Sequence, residues 1–434
     1  MNFSSPFVII FLAGTILNFL LDNFLEFIDF KNRKNNGQKI PQELEGSVKP
    51  ETLAKTCLYE DAQYKLWIPE NILRTLLSLV LICSGFYFWL LNFINSSITQ
   101  NSFLILMLFT IFASIPGIIL NLPFELYHEF VLEKKFGFST MTFKLWILDA
   151  IKEFIVNMLL IAALFAIMSV IFNKFENSWW LFIGIAYISF SLIISIIFPL
   201  FIAPLFNKFS PLEEGELKER LEKLLQKCGF KSSGLFVMDA SKRSKHSNAY
   251  FTGFGKSKRV VLFDTLIAQL TPAEIESVLG HELGHFKKHH IIKRLCAMIP
   301  VIIAMLYAAF ALSRSLAVFE AFGFDFSAGN WGAVPQFAGL FLLGIIFGGY
   351  GIFFGAVNNY FSRKDEFEAD AFAKDICGTG QNLATSLIKL NTENMSEISV
   401  PAIYSLFNYN HPPLLERLRA LNFQAEKSIN QETL

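Results

Sequence analysis

Seven long apolar stretches constrain this 434-residue chain more than any other feature of its sequence. A helix needs about 20 mostly apolar residues to span a bilayer. The stretches that meet this requirement are residues 7–28, 73–94, 103–123, 154–173, 179–206, 295–312 and 336–358. Hydrophobic residues make up 53% of the chain and charged residues 17%, against about 25% charged in a soluble domain. The sequence therefore excludes a disordered chain and predicts a membrane protein with seven transmembrane helices.

Net charge and cysteine content exclude several other classes of protein. Lys and Arg (37) balance Asp and Glu (37), so no excess of positive charge indicates a nucleic-acid partner. The five cysteines are scattered singly and form neither a disulfide framework nor a CxxC metal site. The first residues, MNFSSPF, lack the basic start of a cleaved signal peptide. We expect the first apolar stretch to stay in the protein as a membrane anchor.

The charges between the apolar stretches predict how the chain is oriented. Residues 29–72 and 124–153 are rich in Lys and Arg, whereas the other short loops hold only Lys174 and Arg314. By the positive-inside rule the N-terminus is outside and the C-terminal segment is cytoplasmic. Two long polar segments then face the cytoplasm together. The predicted location is the inner membrane in a bacterium or the endoplasmic reticulum in a eukaryote.

The alternation of polar and apolar segments divides the chain into four parts: 1–206 with five transmembrane helices, the polar unit 207–294, 295–358 with two transmembrane helices, and 359–434. Within 207–294, capping boxes at Ser210 and Thr271 predict two helices, the first running to about Lys227. Short β-like runs predict strands at Leu235–Met238, Ala249–Thr252 and Arg259–Phe263. The last part is predicted to be helical at about 360–377 and 413–422.

The helix predicted after Thr271 carries a metal-binding motif, His281-Glu282-Leu283-Gly284-His285. Residues four apart share a helix face, so both imidazoles can bind one zinc ion. Glu282 lies about 100° around the helix, where it can take a proton from a zinc-bound water. The alternative, two unconnected histidines on an exposed helix, is disfavoured by the cap and by the downstream carboxylates.

A third ligand is predicted in the run that follows the last apolar stretch. Glu366 and Asp370 are four residues apart on one helix face, and Glu368 points away from it. Glu366 is the candidate ligand, and Asp370 can hold the second nitrogen of a ligand histidine. The alternative is an ordinary charged helix face.

Five further histidines remain, and His411 is the candidate among them for a catalytic role. His289 and His290, after Lys287-Lys288, are predicted to mark the polar border of the membrane. His411 precedes Pro412-Pro413 and is either a residue that starts a helix or a donor to the oxyanion of the cleaved bond.

Several motifs in a fixed order resemble the type I CAAX prenyl proteases, which are membrane zinc endopeptidases. They are KRSKHSNAYFTG (242–253), VLGHELGH (278–285), FSRKDEFEADAFA (361–373), HPPLLERLRAL (411–421) and the stretch 130–152, with a weaker match from Pro41. Lys364-Asp365 departs from the basic-aromatic pair more usual in the family. The resemblance covers most of the chain.

The resemblance implies one zinc bound by His281, His285 and Glu366, with Glu282 as the general base. It also implies that His411 and Arg417 lie near the scissile bond, and that the substrate backbone lies beside Asn248, Ala249 and Tyr250. The implied fold is mainly α: seven transmembrane helices around an intramembrane chamber, with a gluzincin-like α+β zinc protease unit. The implied reaction removes the C-terminal tripeptide of a prenylated CAAX protein. Prenylated or other membrane-associated peptides and the lipid bilayer are the expected partners.

Three other functions share some of these features. A heat-shock-type membrane metalloprotease has HExxH and a later Glu but fewer apolar spans. An intramembrane-cleaving protease would carry HExxH within an apolar span, whereas Lys287 and Lys288 follow it here. A transporter with a vestigial metal site would not need Glu282 between the two histidines.

Overall fold

The computed structural model describes residues 1–230, 234–252 and 259–424. Gly253, the last residue of one predicted motif, lies outside the described residues, as does the segment 425–434. The helices are α1 Pro6–Asn36, α2 Pro50–Cys83, α3 Phe86–Ser97, α4 Ser102–Tyr127, α5 Lys134–Phe136, α6 Phe143–Lys174, α7 Trp179–Ile197, α8 Ala203–Phe206, α9 Glu216–Lys227, α10 Asp264–Gln269, α11 Pro272–Lys287, α12 His290–Leu312, α13 Leu316–Ala321, α14 Val334–Gly348, α15 Gly351–Cys377, α16 Gln381–Glu393, α17 Ala402–Asn408 and α18 Leu414–Leu421. The strands are β1 Phe209–Pro211, β2 Leu235–Met238, β3 Ala249–Thr252 and β4 Arg259–Phe263. Two π-helical turns, His128–Glu133 and Phe198–Ile202, join α4 to α5 and α7 to α8.

The membrane helices number six or seven within the described residues. Six continuous helical segments are long and apolar enough to cross a bilayer, and the bent pair α14 and α15 supplies a seventh if the two count as one span. The predicted fold class, a mainly α membrane protein with an α+β protease unit, is confirmed.

Seven of these helices form a closed ring. In order around the ring they are α1, α2, α4, α6, α7, α12 and α14, and α14 contacts α1 again. Packed helices lie about 8–10 Å apart, so seven axes lie on a circle roughly 20 Å across. A helix is only about 10–12 Å wide, which allows a space inside the ring away from the end where α4 and α14 contact each other across it. This arrangement accords with the chamber that the family resemblance implies.

One end of the ring is closed by a large apolar cluster. Its residues come from the starts of α1, α4 and α7, the ends of α6 and α12, the short helices α3 and α13, the segment after α13, and α14; they include Phe11, Phe109, Phe172, Trp179, Ala309, Phe322, Trp331 and Leu342. The polar unit joins the opposite end, where Arg243 donates to Asp149 at the start of α6 (2.9 Å). Any space inside the ring therefore lies between the apolar cluster and the protease unit.

Two of the predicted spans are broken in the structure. The stretch predicted as one helix over 73–94 contains the end of α2 and the start of α3, because Gly85 adopts the left-handed conformation (φ 74°) and breaks the helix. The stretch predicted over 336–358 is bent by 76° between α14 and α15. A continuous apolar run does not reveal either break.

The protease unit has a four-stranded sheet in the order β1-β2-β4-β3. Strands β2 and β4 are parallel, and the outer pairs are antiparallel. The three strands predicted from the sequence are confirmed with their predicted bounds. The sheet packs on α9 and α11 through an apolar core that includes Leu221, Val260, Leu262, Leu279 and Leu283.

The prediction that a helix begins at Ser210 is wrong. Ser210 and Pro211 belong to β1, which pairs with β2, and the helix begins six residues later at Glu216. Strand pairing overrides the local capping signal. The capping box at Thr271 is confirmed by hydrogen bonds in both directions between Thr271 and Glu274.

The C-terminal segment contains more helix than predicted. Helix α15 begins nine residues before the predicted start at 360, and α16 and α17 were not predicted. Helix α16 buries only a short apolar face, including Leu383, Ala384 and Ile388. Such a short apolar stripe is a weak sequence signal for a helix. The helix predicted over 413–422 is confirmed as α18, within one residue at each end. The four-part division of the chain stays a prediction.

We expect Gly349→Ala to destabilise the ring, because α14 ends there against α1. A Cβ at Gly349 would lie 2.7 Å from the backbone nitrogen of Thr15 and closer still to Gly14, whereas a Cβ at Gly348 meets nothing within 4 Å. Overpacking of this kind costs about 1–3 kcal/mol. Thermal unfolding of the purified protein should show a lower Tm for Gly349→Ala than for the control Gly348→Ala. Equal Tm values would contradict the close contact.

Candidate metal centre and active site

The close contact between α11 and α15 builds the site. Helix α11 is anchored to the protease core by Ile275, Leu279 and Leu283, which are almost fully buried. Its other face packs directly on α15, where a Cβ at Gly284 would lie 2.8 Å from the Cα of Ala369. Any larger residue at Gly284 would force the helices apart. The small residues therefore place the motif histidines beside the carboxylates of α15.

Three predicted ligands converge at this contact. The Nε2 atom of His285 lies 3.1 Å from Oε1 of Glu366, and that of His281 lies 3.4 Å from Oε2. The two Nε2 atoms are 3.2 Å apart. One ligand atom from each of the three residues lies within 4.8 Å of the others. Among the described residues this is the group of His, Cys, Asp and Glu side chains that could hold a metal ion.

The arrangement fits a tetrahedral metal ion. With ligand bonds of about 2.0–2.2 Å, two ligands of tetrahedral zinc are separated by about 3.3–3.6 Å, close to the spacings found. The Oε2 atom of Glu366 is buried and makes no hydrogen bond to any described residue. A buried carboxylate oxygen without a hydrogen bond is costly, and a metal ion would satisfy it. Two imidazoles and one carboxylate form a common catalytic zinc set.

Asp370 and Arg417 hold His281 in place. Asp370 Oδ1 accepts a hydrogen bond from His281 Nδ1 at 2.8 Å, which leaves Nε2 free to bind a metal. Arg417 donates to both oxygens of Asp370, at 2.8 and 2.6 Å. Burial lowers the pKa of His281, but the hydrogen bond to Asp370 and the nearby carboxylate of Glu366 outweigh it and raise the pKa to about 9.

His290 holds the other histidine, which the sequence did not predict. Its Nδ1 lies 2.9 Å from Nδ1 of His285, and its Nε2 lies 3.3 Å from Oε2 of Glu368. If His285 Nε2 binds a metal, His285 Nδ1–H donates to His290, and His290 Nε2–H donates to Glu368. That the run Lys287–His290 marks the polar membrane border stays a prediction, but the His290 side chain is 2% exposed and turns into the site.

The reason for this difference is the backbone at His289. His289 has φ 56°, a left-handed conformation that ends α11 and turns the chain before α12. The turn brings His290 back against His285. Glu368 does point away from Glu366, as predicted, but it contacts His290 rather than solvent alone.

Glu282 lies between the ligands and a small cavity. The cavity has a volume of about 130 Å³, and its polar lining includes Ser247, Asn248, His281, Glu282, His411 and Arg417. Its apolar lining consists of Ala249, Leu266, Val278, Leu383, Leu387 and Leu390. Burial raises the pKa of Glu282, and the nearby imidazoles of His281 and His285 oppose this. A carboxylate in such a place can accept and return a proton.

The structure also brings His411 and Arg417 to the ligands. His411 Nε2 lies 3.5 Å from Oε1 of Glu366, and its side chain is 58% exposed. Arg417 NH1 lies 3.5 Å from Oε2 of Glu366, and its Nε and NH2 groups are occupied by Asp370. His411 is therefore the freer of the two to meet a substrate.

Strand β3 is the outer strand of the sheet beside this cavity. Asn248 and Ala249 line the cavity, whereas the side chain of Tyr250 packs on the opposite face of the sheet with Phe263 and Val261. Of the three predicted substrate-binding residues, Tyr250 can therefore reach a substrate only through its backbone. The outer edge of β3 has no strand partner among the described residues.

Comparisons with known proteins match nearly the whole chain. The family described as "CAAX prenyl protease N-terminal, five membrane helices" matches residues 29–208, and "Peptidase family M48" matches residues 211–425. The chain is 33% identical to CAAX prenyl protease 1 of Saccharomyces cerevisiae, over 98% of this chain and 97% of that protein.

This chain belongs to the CAAX prenyl protease 1 family. It is 40% identical to the homologue from Oryza sativa subsp. japonica over 72% of each chain, and 33% identical to the Homo sapiens homologue over 88% of each. The crystal structure of S. mikatae Ste24p superposes with a TM-score of 0.87 at 33% identity, covering 96% of this chain and 99% of that one. The family prediction is confirmed: the chain is a multi-pass membrane metallopeptidase. The heat-shock and transporter alternatives are set aside.

We expect Glu366→Ala to lose bound zinc and Glu368→Ala to keep it. Glu366 lies at the ligand cluster, while Glu368 touches only His290, so its loss weakens the support of one ligand. Metal content of the two purified variants, measured by mass spectrometry, distinguishes them. Asp370→Ala should weaken zinc binding about 10–100-fold, as losses of groups behind a ligand do. Equal zinc in Glu366→Ala and Glu368→Ala would refute the ligand assignment.

Proposed function

We propose that this protein is a zinc endopeptidase that removes the C-terminal tripeptide of prenylated CAAX proteins, with its active site on the cytoplasmic side of the membrane. The observation that carries the proposal is that a cluster of three metal ligands adjoins a cavity lined by one of them, His281, together with Glu282 and the start of the outer strand β3. The names of the relatives support the substrate class. The Lys-rich and Arg-rich loops support the orientation.

The fold suits a substrate that is half lipid and half peptide. The isoprenoid can remain within the apolar ring, which is worth about 0.8 kcal/mol per buried CH₂. The peptide tail can reach the protease unit at the open end of the ring. The apolar wall of the cavity, including Leu383 and Leu387, suits the aliphatic residues of a CAAX tail.

The substrate backbone would pair with β3. A peptide that adds a strand to a sheet edge is held by main-chain hydrogen bonds, so its side chains can vary. Asn248 and Ala249 at the start of β3 would place the scissile bond beside the metal ligands. Tyr250 would contribute backbone groups.

His281, His285 and Glu366 would hold the zinc ion and leave one position for water. When bound, zinc supplies Lewis acidity and lowers the pKa of water toward about 7. Glu282 accepts the proton of the attacking water and then delivers it to the nitrogen of the leaving peptide. His411 donates a hydrogen bond to the carbonyl oxygen as negative charge develops there. Arg417 orients Asp370 and adds positive charge.

The direct test is cleavage of a farnesylated CAAX peptide by the purified full-length protein. We expect release of the tripeptide, complete inhibition by a zinc chelator, and recovery when zinc is returned. The same peptide without the farnesyl group should be a poorer substrate. Cleavage at another bond, or equal turnover of both peptides, would refute the proposed substrate class.

Replacement of Glu282 by Gln should stop cleavage without loss of the metal. Gln has the same shape but cannot take a proton, and a general base contributes about 10²–10⁴-fold to the rate. Zinc content and Tm measured on the same sample serve as controls. Turnover near that of the wild type would exclude Glu282 as the base.

The change His411→Phe should lower kcat about 10²–10³-fold and leave zinc content and KM almost unchanged. A donor to the oxyanion acts mainly in the transition state, and this is the usual loss when one donor is removed. If His411 only starts α18, the variant would instead show a lower Tm with normal kcat. Tm and kcat from one preparation separate these outcomes.

A further inference from the structure

The loop that leads into β3 is attached to the membrane ring rather than free. It runs from Ala240 to Asn248, between β2 and β3. Thr140 donates its backbone N–H to Arg243 (3.1 Å), and Lys245 donates its own to Phe138 (3.0 Å). Residues 138–140 lie between the membrane span Ser102–Phe136, which ends with α5, and the membrane helix α6. The position of β3 therefore depends on the ring.

A buried carboxylate lies at the centre of this attachment. Glu133, in the π-helical turn after α4, has a side chain that is 7% exposed. Its Oε1 accepts a hydrogen bond from the Tyr59 hydroxyl (2.6 Å), and its Oε2 lies 3.3 Å from Nε2 of His246. His128 lies farther away, with Nε2 3.7 Å from Oε1. Glu133 thus joins α2, the π-helical turn and the loop.

His246 makes contacts through its ring nitrogens, the face of its ring and its backbone oxygen. Its Nδ1 lies 3.0 Å from Oδ1 of Asn394, at the end of α16, and its ring stacks on Phe138 with centroids 4.1 Å apart. Its backbone oxygen accepts a hydrogen bond from the Thr265 hydroxyl at 3.0 Å. Both ring nitrogens face oxygen acceptors, the arrangement expected of a protonated imidazole. The hydrogen bond to Glu133 raises the pKa of His246 in agreement.

His246 is close enough to β3 to fix its position. Ala249, the first residue of β3, is three residues away, a reach of at most about 10 Å. Both residues between them, Ser247 and Asn248, line the cavity, and the backbone oxygen of Asn248 accepts a hydrogen bond from Phe263 of β4 at 3.1 Å. A displacement of His246 would therefore move the strand edge relative to the metal ligands on α11.

The carboxylate of Glu133 is buried, but the His246 side chain is 40% exposed. An ion pair that is partly open to solvent adds little stability, whereas its directional hydrogen bonds can still fix one geometry. The pair lies outside the metal site, and it joins the membrane ring, the protease unit and α16. Such an arrangement is suited to fixing the position of the protease unit relative to the membrane ring.

We propose that Glu133 and His246 are positioning residues that hold strand β3 in register with the metal site and thereby control how tightly the peptide substrate binds. The proposal rests on the proposed function in one respect, the pairing of the substrate with β3. Neither residue touches the metal ligands or the reacting atoms. Their loss should weaken substrate binding and leave the chemical step intact.

The test is a comparison of Glu133→Gln and His246→Gln with the control His128→Gln, using the full-length protein and the farnesylated CAAX peptide. We expect KM to rise about tenfold in the first two variants while kcat and zinc content stay within about twofold, since loss of uniform binding raises KM alone. The control should match the wild type. The double variant should be no worse than either single one, because both break the same contact.

Amide hydrogen exchange of residues 244–252 gives a readout without substrate. Exchange should speed up in both variants and remain unchanged in the control. An unchanged KM in Glu133→Gln and His246→Gln would overturn the proposal, as would a fall in kcat or zinc at constant KM. If Glu133→Gln fails to fold, His246→Gln alone decides the question. A wild-type protein that does not cleave the peptide would refute the proposed function, whereas the exchange data would still test the attachment of β3.

Discussion

The close packing of α11 against α15 is the contact on which the rest of the site depends. Gly284 allows the backbone of α15 to approach at Ala369, and this approach brings Glu366 to the two motif histidines. The same contact places Asp370 within hydrogen-bond distance of His281. Arg417 lies beside them because it donates a hydrogen bond to Asp370. One helix of the pair belongs to the protease unit and the other continues from a membrane helix. The metal centre is therefore built at the junction of the two parts of the molecule.

This junction explains why a soluble type of catalytic unit is fused to a ring of membrane helices. The ring is closed at one end by an apolar cluster, and the protease unit lies at the other. Polar contacts between the unit and the ring include Arg243 to Asp149 and His246 to Glu133. Directional contacts of this kind fix orientation more than they add stability. They keep the edge of β3 in a fixed position relative to the metal ligands.

Much of this could be predicted from the sequence, wherever the signal is local. The HExxH spacing and the i, i+4 spacing of Glu366 and Asp370 follow from helix geometry, and the strands follow from short β-branched and aromatic runs. The failures have tertiary causes. Ser210 pairs in a sheet instead of capping a helix, and Gly85 breaks an apolar run by its backbone conformation. His290 reaches His285 through a left-handed turn at His289. Glu133 and His246 are 113 residues apart, so their contact leaves no local pattern, although His246 lies within a motif that the sequence singled out.

The central claim is that His281, His285 and Glu366 together bind one zinc ion. X-ray absorption at the zinc edge of the purified protein measures the ligands directly. The account predicts one zinc per chain, with nitrogen and oxygen ligands at about 2.0–2.2 Å, a signature of imidazole, and no sulfur shell. A sulfur shell at about 2.3 Å, or a protein that binds no zinc, would contradict it.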